Sequence, residues 1–93
     1  PDEEFSFAIA DKNNVTLETV KKAERSDCIV MRVFEHSNAR CNTQIKFGLP
    51  VKSIRKVNLM EEPTAKVYEI RENTIQVELK PFEIETLLIE FDL

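Results

Sequence analysis

The closing stretch from Leu79 to Leu93, LKPFEIETLLIEFDL, restricts the fold more tightly than any other part of the chain. Pro81 has a fixed φ and no backbone N–H, so it marks a corner or a sheet edge and would interrupt a central ladder. Beyond it, Leu87, Ile89, Phe91 and Leu93 fall on one face of an extended chain, with Glu90 and Asp92 on the other. Leu88 joins Ile84 on that otherwise polar face. A strand that is apolar on both faces is either central in its sheet or covered by something else. The segment therefore reads as the end of one strand, a corner at Pro81 and a closing strand whose second apolar face predicts a domain that leans on a neighbour.

The preceding sequence repeats short strand-like segments and shows no long helical period. Phe5, Phe7 and Ile9 alternate with Ser6 and Ala8, and Asp11–Asn14 supplies a turn. Val15 to Glu24 is rich in β-branched residues, and Cys28 to Glu35 is almost continuously apolar, as in a strand covered on both sides. His36–Ala39 turns the chain, after which Cys41, Thr43, Ile45 and Phe47 alternate with polar residues. Val51 to Met60 fits a strand with a bulge or one short helical turn, ended by Glu61, Glu62 and Pro63. A turn around Glu72–Asn73 then joins Val67–Ile70 to Ile75–Leu79. Pairing across it sets Ile70 against Ile75 and Tyr68 against Val77. About seven or eight short strands at this spacing predict an all-β fold, an antiparallel β-sandwich, formed by residues 1–93 as a single domain. With one glycine in the chain, Asn13, Asn14, Asn38 and Asn73 are the expected positive-φ residues.

Ninety-three residues suffice for one core that buries about 60–65% of the unfolded surface, with little room for a deep active-site pocket. The 42% apolar and 32% charged content describes a globular domain. A net charge of −4, with acidic residues flanking the basic clusters at Lys21–Arg25 and Lys52–Lys56, argues against nucleic acid as a partner. No apolar run approaches the ~20 residues of a membrane span, so no membrane is expected as a partner. The start at Pro1, in PDEEF, matches either a piece of a longer protein or the removal of an initiator methionine. If Ser37–Asn38 closes a hairpin, Cys41 faces Phe34 and Cys28 faces the region of Phe47, so the two thiols stay free. That usage points to a reducing, cytoplasmic compartment.

Candidate chemistry is sparse. Glu83 and Glu85 stand two apart on a strand, about 7 Å from one another, which overlaps an inverting glycosidase pair. No His, Tyr or Trp beside them tunes either one, and alternating carboxylates of this kind read as the wet face of a sheet. Arg32 and Glu35 interrupt an apolar strand, where a charge must find a partner. For Arg32 the expected partner is a local carboxylate or a rim carbonyl; the functional reading has it reaching across a domain interface. His36 with Cys28 and Cys41 forms neither a metal set nor a supported nucleophile–base pair. The residues thus nominate no catalytic, cofactor-binding or metal-binding side chain. With one Tyr and no Trp, the platforms that stack on sugar rings are nearly absent.

One ordered constellation goes further. Val20, Lys21 and Ala23 are followed by Arg32, Phe34 and Glu35, then by Asn58, Leu59 and Glu61, and finally by Lys80–Ile84 with Thr86. This order resembles the C-terminal β domain of glycoside hydrolase family 38 α-mannosidases over about residues 15 to 91. It departs from the family pattern at Phe34, where tyrosine is frequent, and at Arg25–Asp27, where a glycine is expected. The resemblance implies a parent that cleaves α-mannosidic bonds with retention, using zinc or another divalent metal held in a separate catalytic domain. It implies no cofactor in this chain. The implied partners are the catalytic domain of the same polypeptide and, for the parent, further copies in a homo-oligomer. The alternative is an independent carbohydrate-binding or protein-interaction module. An exposed aromatic patch around Phe82 and Tyr68 would favour that alternative, whereas a broad apolar face including Leu88 would favour the accessory domain.

Overall fold

The computed structural model describes residues 8–22, 28–58 and 63–92, and within them the chain forms strands and no helix. In chain order the strands are β1 (Ala8–Ala10), β2 (Val15–Lys22), β3 (Cys28–Glu35), β4 (Cys41–Phe47), β5 (Val51–Val57), β6 (Pro63–Val67), β7 (Thr74–Leu79) and β8 (Ile84–Phe91). A three-stranded sheet runs β1-β4-β7 and a five-stranded sheet runs β2-β3-β8-β5-β6, with antiparallel pairing throughout. The expected β-sandwich is the observed fold. Its last strand is central, as two apolar faces require: β8 pairs with β3 on one side and β5 on the other.

Period-two alternation decides what faces the core. On β8, Glu85, Leu87, Ile89 and Phe91 are buried, and their neighbours Ile84, Thr86, Leu88 and Glu90 are not. Met31 lies opposite Leu87, and both Ile29 and Ile54 lie opposite Ile89. From the other sheet Ile45, Phe47, Ile75, Val77 and Leu79 complete one apolar cluster. Each such side chain, fully buried, contributes about 1.5–3 kcal/mol of transfer free energy. The expected inward position of Leu93 lies outside the described residues, as do Phe5, Phe7, Leu59 and Glu61.

Two expected hairpins are corrected. β3 and β4 follow one another in sequence but enter different sheets, so Cys41 pairs with Leu79 and not with Phe34. Neither thiol forms a disulfide all the same, with Cys28 buried and Cys41 half-buried. Likewise β6 pairs with β5, and β7 with β4. The turn at Glu72–Asn73 forms only at its tip, where Arg71 and Thr74 exchange two backbone hydrogen bonds of 2.9 Å. Tyr68 and Ile70, in the connection after β6, and Ile75 and Val77, on β7, reach the same core without pairing with one another. Burying both sets between layers removes more apolar surface from water than a flat hairpin does. Pro63 opens an edge strand, where its missing N–H is tolerated, and β5 carries the expected bulge between Val51 and Ser53.

Positive φ falls on Asn38 (58°), Glu72 (52°), Asn73 (61°) and Phe82 (59°). Asn38 and Asn73 match expectation; Asn13 and Asn14 do not. Glu72 and Asn73 are the two left-handed residues of a tight two-residue turn. The Asn73 side chain also ties down the β4–β5 connection, donating to the Phe47 and Leu49 carbonyls at 2.9 and 2.8 Å and accepting from the Val51 N–H at 2.9 Å. Asp11 does similar work at β4. Its carboxylate accepts from the Gln44 N–H and the Thr43 hydroxyl, and those bonds hold its pKa below the ordinary range.

Candidate functional site

The most organised polar feature sits where β3 ends against the turn before β8. Glu35 is 2% exposed, and its two carboxylate oxygens gather donors from three separate parts of the chain. Oε1 accepts from the Phe82 N–H, and Oε2 from the Asn14 side-chain amide and the Ser37 N–H, each at 2.8 Å. Burial by itself pushes this carboxyl up. The N–H groups of Phe82, Ser37 and Ala39 and the Asn14 amide outweigh that and hold its pKa at about 2.

The turn so anchored, Lys80–Glu83, is fixed from several directions. The Glu83 N–H donates to the Lys80 carbonyl at 3.0 Å, and the Lys80 N–H donates to the Glu83 carboxylate at 2.8 Å. The Glu35 N–H donates to the Glu83 carbonyl at 3.0 Å. Pro81 presets the first central φ and Phe82 takes the left-handed second position, an arrangement that ordinarily calls for glycine or asparagine. Phe82 is 61% exposed and Ile84 is 58% exposed.

The Glu83–Glu85 pair does not form a catalytic couple. Glu83 caps the turn. Glu85, expected on the wet face, is 3% exposed and lies on the core side of β8. It accepts a hydrogen bond from the buried Tyr68 hydroxyl and lies 3.7 Å from the Lys56 ammonium. Burial first, then the Glu85 bond and the charges of Glu85 and Glu83, push the Tyr68 phenol far above its ordinary range. Lys66 stands over the Tyr68 ring at 4.7 Å. A hydrogen bond to a buried carboxylate contributes about 1.5–3 kcal/mol, so this cluster has a sufficient structural role.

The outer face of the five-stranded sheet is apolar at its centre. Val30 lies opposite Leu88 and Phe34 opposite Ile84, with Val57 and Arg32 on the two sides of Thr86. Val30 and Val57 are buried, Leu88 and Phe34 half-buried, and Ile84 exposed. Arg32 finds the expected local carboxylate, Glu18, at 3.5 Å in an exposed pair. The motifs Arg32–Glu35 and Lys80–Thr86 are thereby brought together: Arg32 faces Thr86, Phe34 faces Ile84, and Glu35 binds Phe82. Val20 and Lys21 lie on β2, and Asn58 follows β5. Ala23, Leu59 and Glu61 lie outside the described residues.

Elsewhere the described residues assemble no reaction centre. His36 is an exposed turn residue. Among the described residues, no group of three or more His, Cys, Asp and Glu side chains is placed to hold a metal ion. The described side chains therefore do not fit the divalent metal that the resemblance implies for a parent. An open depression is lined by Gln44, Glu69, Arg71, Thr74 and Gln76, and none of the described residues in its wall is aromatic. Tyr68 is buried, so the aromatic patch envisaged around Phe82 and Tyr68 does not form. No helix among the described residues is long and apolar enough to cross a membrane. Sequence reasoning missed the roles of Glu35, Glu85 and Phe82. The first two carried a readable signal, an acidic residue on the apolar face of its own strand.

Residues 14–87 match the family described as the "Glycosyl hydrolases family 38 C-terminal beta sandwich domain". The chain is also similar to a protein named "Alpha-mannosidase 2C1" from Mus musculus, with 28% identity over 94 residues. That match takes in 96% of this chain and 9% of the mouse protein. No solved structure matches.

Proposed function

This chain belongs to the family of glycosyl hydrolases family 38 C-terminal β-sandwich domains, and from that premise we propose that it is the accessory, non-catalytic β domain of an α-mannosidase polypeptide. The observation that carries the reading is the family match over residues 14–87, laid on a sandwich whose central strand is apolar on both faces. The inner face of β8 makes this domain's core. Its outer face, around Leu88, Ile84 and Phe34, packs against the catalytic part of the same polypeptide and shields apolar surface there from water. Hydrolysis of α-mannosidic bonds, and the metal that assists it, belong to that other part. The likeness to the mouse protein supports the activity, and two cysteines outside any disulfide support a cytoplasmic setting. An independent sugar-binding module draws less support, since none of the described residues lining the depression beside β7 offers a ring for a sugar to stack on.

The reading predicts that the 93-residue chain, assayed alone on an aryl α-mannoside, gives no turnover above buffer, while the native polypeptide that carries it hydrolyses the same substrate. Turnover by the chain alone, or none by the native polypeptide, contradicts it.

A further inference from the structure

Phe82 is a bulky residue held in the left-handed region at φ 59°, where a side chain costs conformational energy that glycine avoids. Pro81 and four hydrogen bonds donated by backbone N–H groups hold it there, two accepted by carbonyls and two by the Glu83 and buried Glu35 carboxylates. The ring so fixed is 61% exposed and packs no core; Ile84, two residues on, is 58% exposed and lies opposite the half-buried Phe34. A strained backbone that presents an apolar ring to solvent is unexplained by the stability of the sandwich. It is the form of a preorganised anchor, whose ordering cost on binding is met in advance.

We propose that the Phe82 ring, with Ile84 beside it, inserts into an apolar pocket on the catalytic part of the same polypeptide. The proposal rests on the accessory-domain reading above and names its point of attachment. The size of the patch selects the occupant. Phe82 and Ile84 offer on the order of 200 Å² of apolar surface, whereas a stable complex between free partners buries about 800 Å² on each. A patch this small suits a partner that is already tethered, for which the loss of translational freedom is largely settled by the covalent link. A second copy of the domain, or a free protein, is not held by it.

The test uses Phe82→Gly and Phe82→Leu in the native polypeptide, read by calorimetry and by the half-life of the folded state near its midpoint. Aryl α-mannoside hydrolysis is followed as a separate readout. Glycine relieves the backbone and removes the ring. The 93-residue chain bearing Phe82→Gly is expected to melt no lower than the unsubstituted chain. The native polypeptide bearing it is expected to lose its half-life at least about fivefold, and its sandwich to melt separately from the rest. Phe82→Leu, which restores apolar bulk, recovers most of the half-life. A native polypeptide that is as long-lived with Phe82→Gly as without it overturns the anchor, as does one with no sequence outside this chain. Loss of coupling in a polypeptide that hydrolyses no mannoside supports the anchor and overturns only the mannosidase reading.

Discussion

Glu35→Gln is expected to lower the thermal midpoint of the folded chain by about 10 °C at neutral pH, more than any other single polar substitution. The amide keeps the shape of the carboxylate but turns one acceptor into a donor, facing the N–H groups that Glu35 now satisfies. Asn14, Ser37 and Phe82 come from three different connections, so losing their common acceptor loosens the start of β2, the turn after β3 and the corner before β8 together. The effect depends on pH with a defined sign. The carboxyl titrates near 2 in the folded chain against an ordinary value of 4.5, so folding is favoured by the ionised form. Its contribution is complete above pH 4.5 and is lost as the pH falls toward 2. Circular-dichroism melts at a series of pH values should show the gap between the wild type and Glu35→Gln shrinking through that window. A gap that stays constant to pH 2 would show that the carboxylate's charge is not what binds the three segments.

Ile89→Ala is the second large effect, at about 3–4 kcal/mol of unfolding free energy. Ile89 is fully buried at the centre of the central strand, opposite Ile29 and Ile54, and the sheets on both sides restrict collapse around the space it would leave. Small domains have about 5–15 kcal/mol in total, so this one truncation removes a large share. Leu88→Ala, one residue away on the outer face, should cost the 93-residue chain less than half as much, because Leu88 is only half-buried there. Urea midpoints at unchanged m-values would measure both. Equal losses at the two positions would mean that the outer face of β8 is as much a core as the inner one, and would remove the reason to look for a partner on it.

Much of this architecture is written locally. Alternation at Leu87, Ile89 and Phe91 fixed the inner face of β8, and Leu88 beside Ile84 marked it as a strand either central or covered before any pairing was known. The continuous apolar run Cys28–Glu35 is likewise the strand β3 to the residue. What alternation cannot say is which sheet a strand joins. The turns at His36–Ala39 and Glu72–Asn73 look like hairpin connections, yet each leads from one layer to the other, because burying both strands' apolar faces between sheets outweighs continuing a local ladder.

The partners of the buried acids were illegible for a different reason. Glu85 continues the inward series of Leu87 and Ile89, so its burial follows from the same period, but an acid there is unreasonable until a donor is known. Tyr68, 17 residues earlier and in the connection after β6, supplies it. Glu35 is the same case, with its Phe82 donor 47 residues away. Such partnerships are long-range and leave no local spacing. The resemblance motifs hold both ends of the Glu35–Phe82 pair, since Arg32–Glu35 and Lys80–Thr86 are two stretches that the fold sets side by side, but they do not include Tyr68.

The measurement that bears most directly on the central claim is the size of the native polypeptide, by immunoblot against this domain across a sizing column of extract from its source cells. The account predicts a band far longer than 93 residues, eluting in the fractions that hydrolyse α-mannosides. A band of 93-residue size, in fractions without that activity, would contradict it.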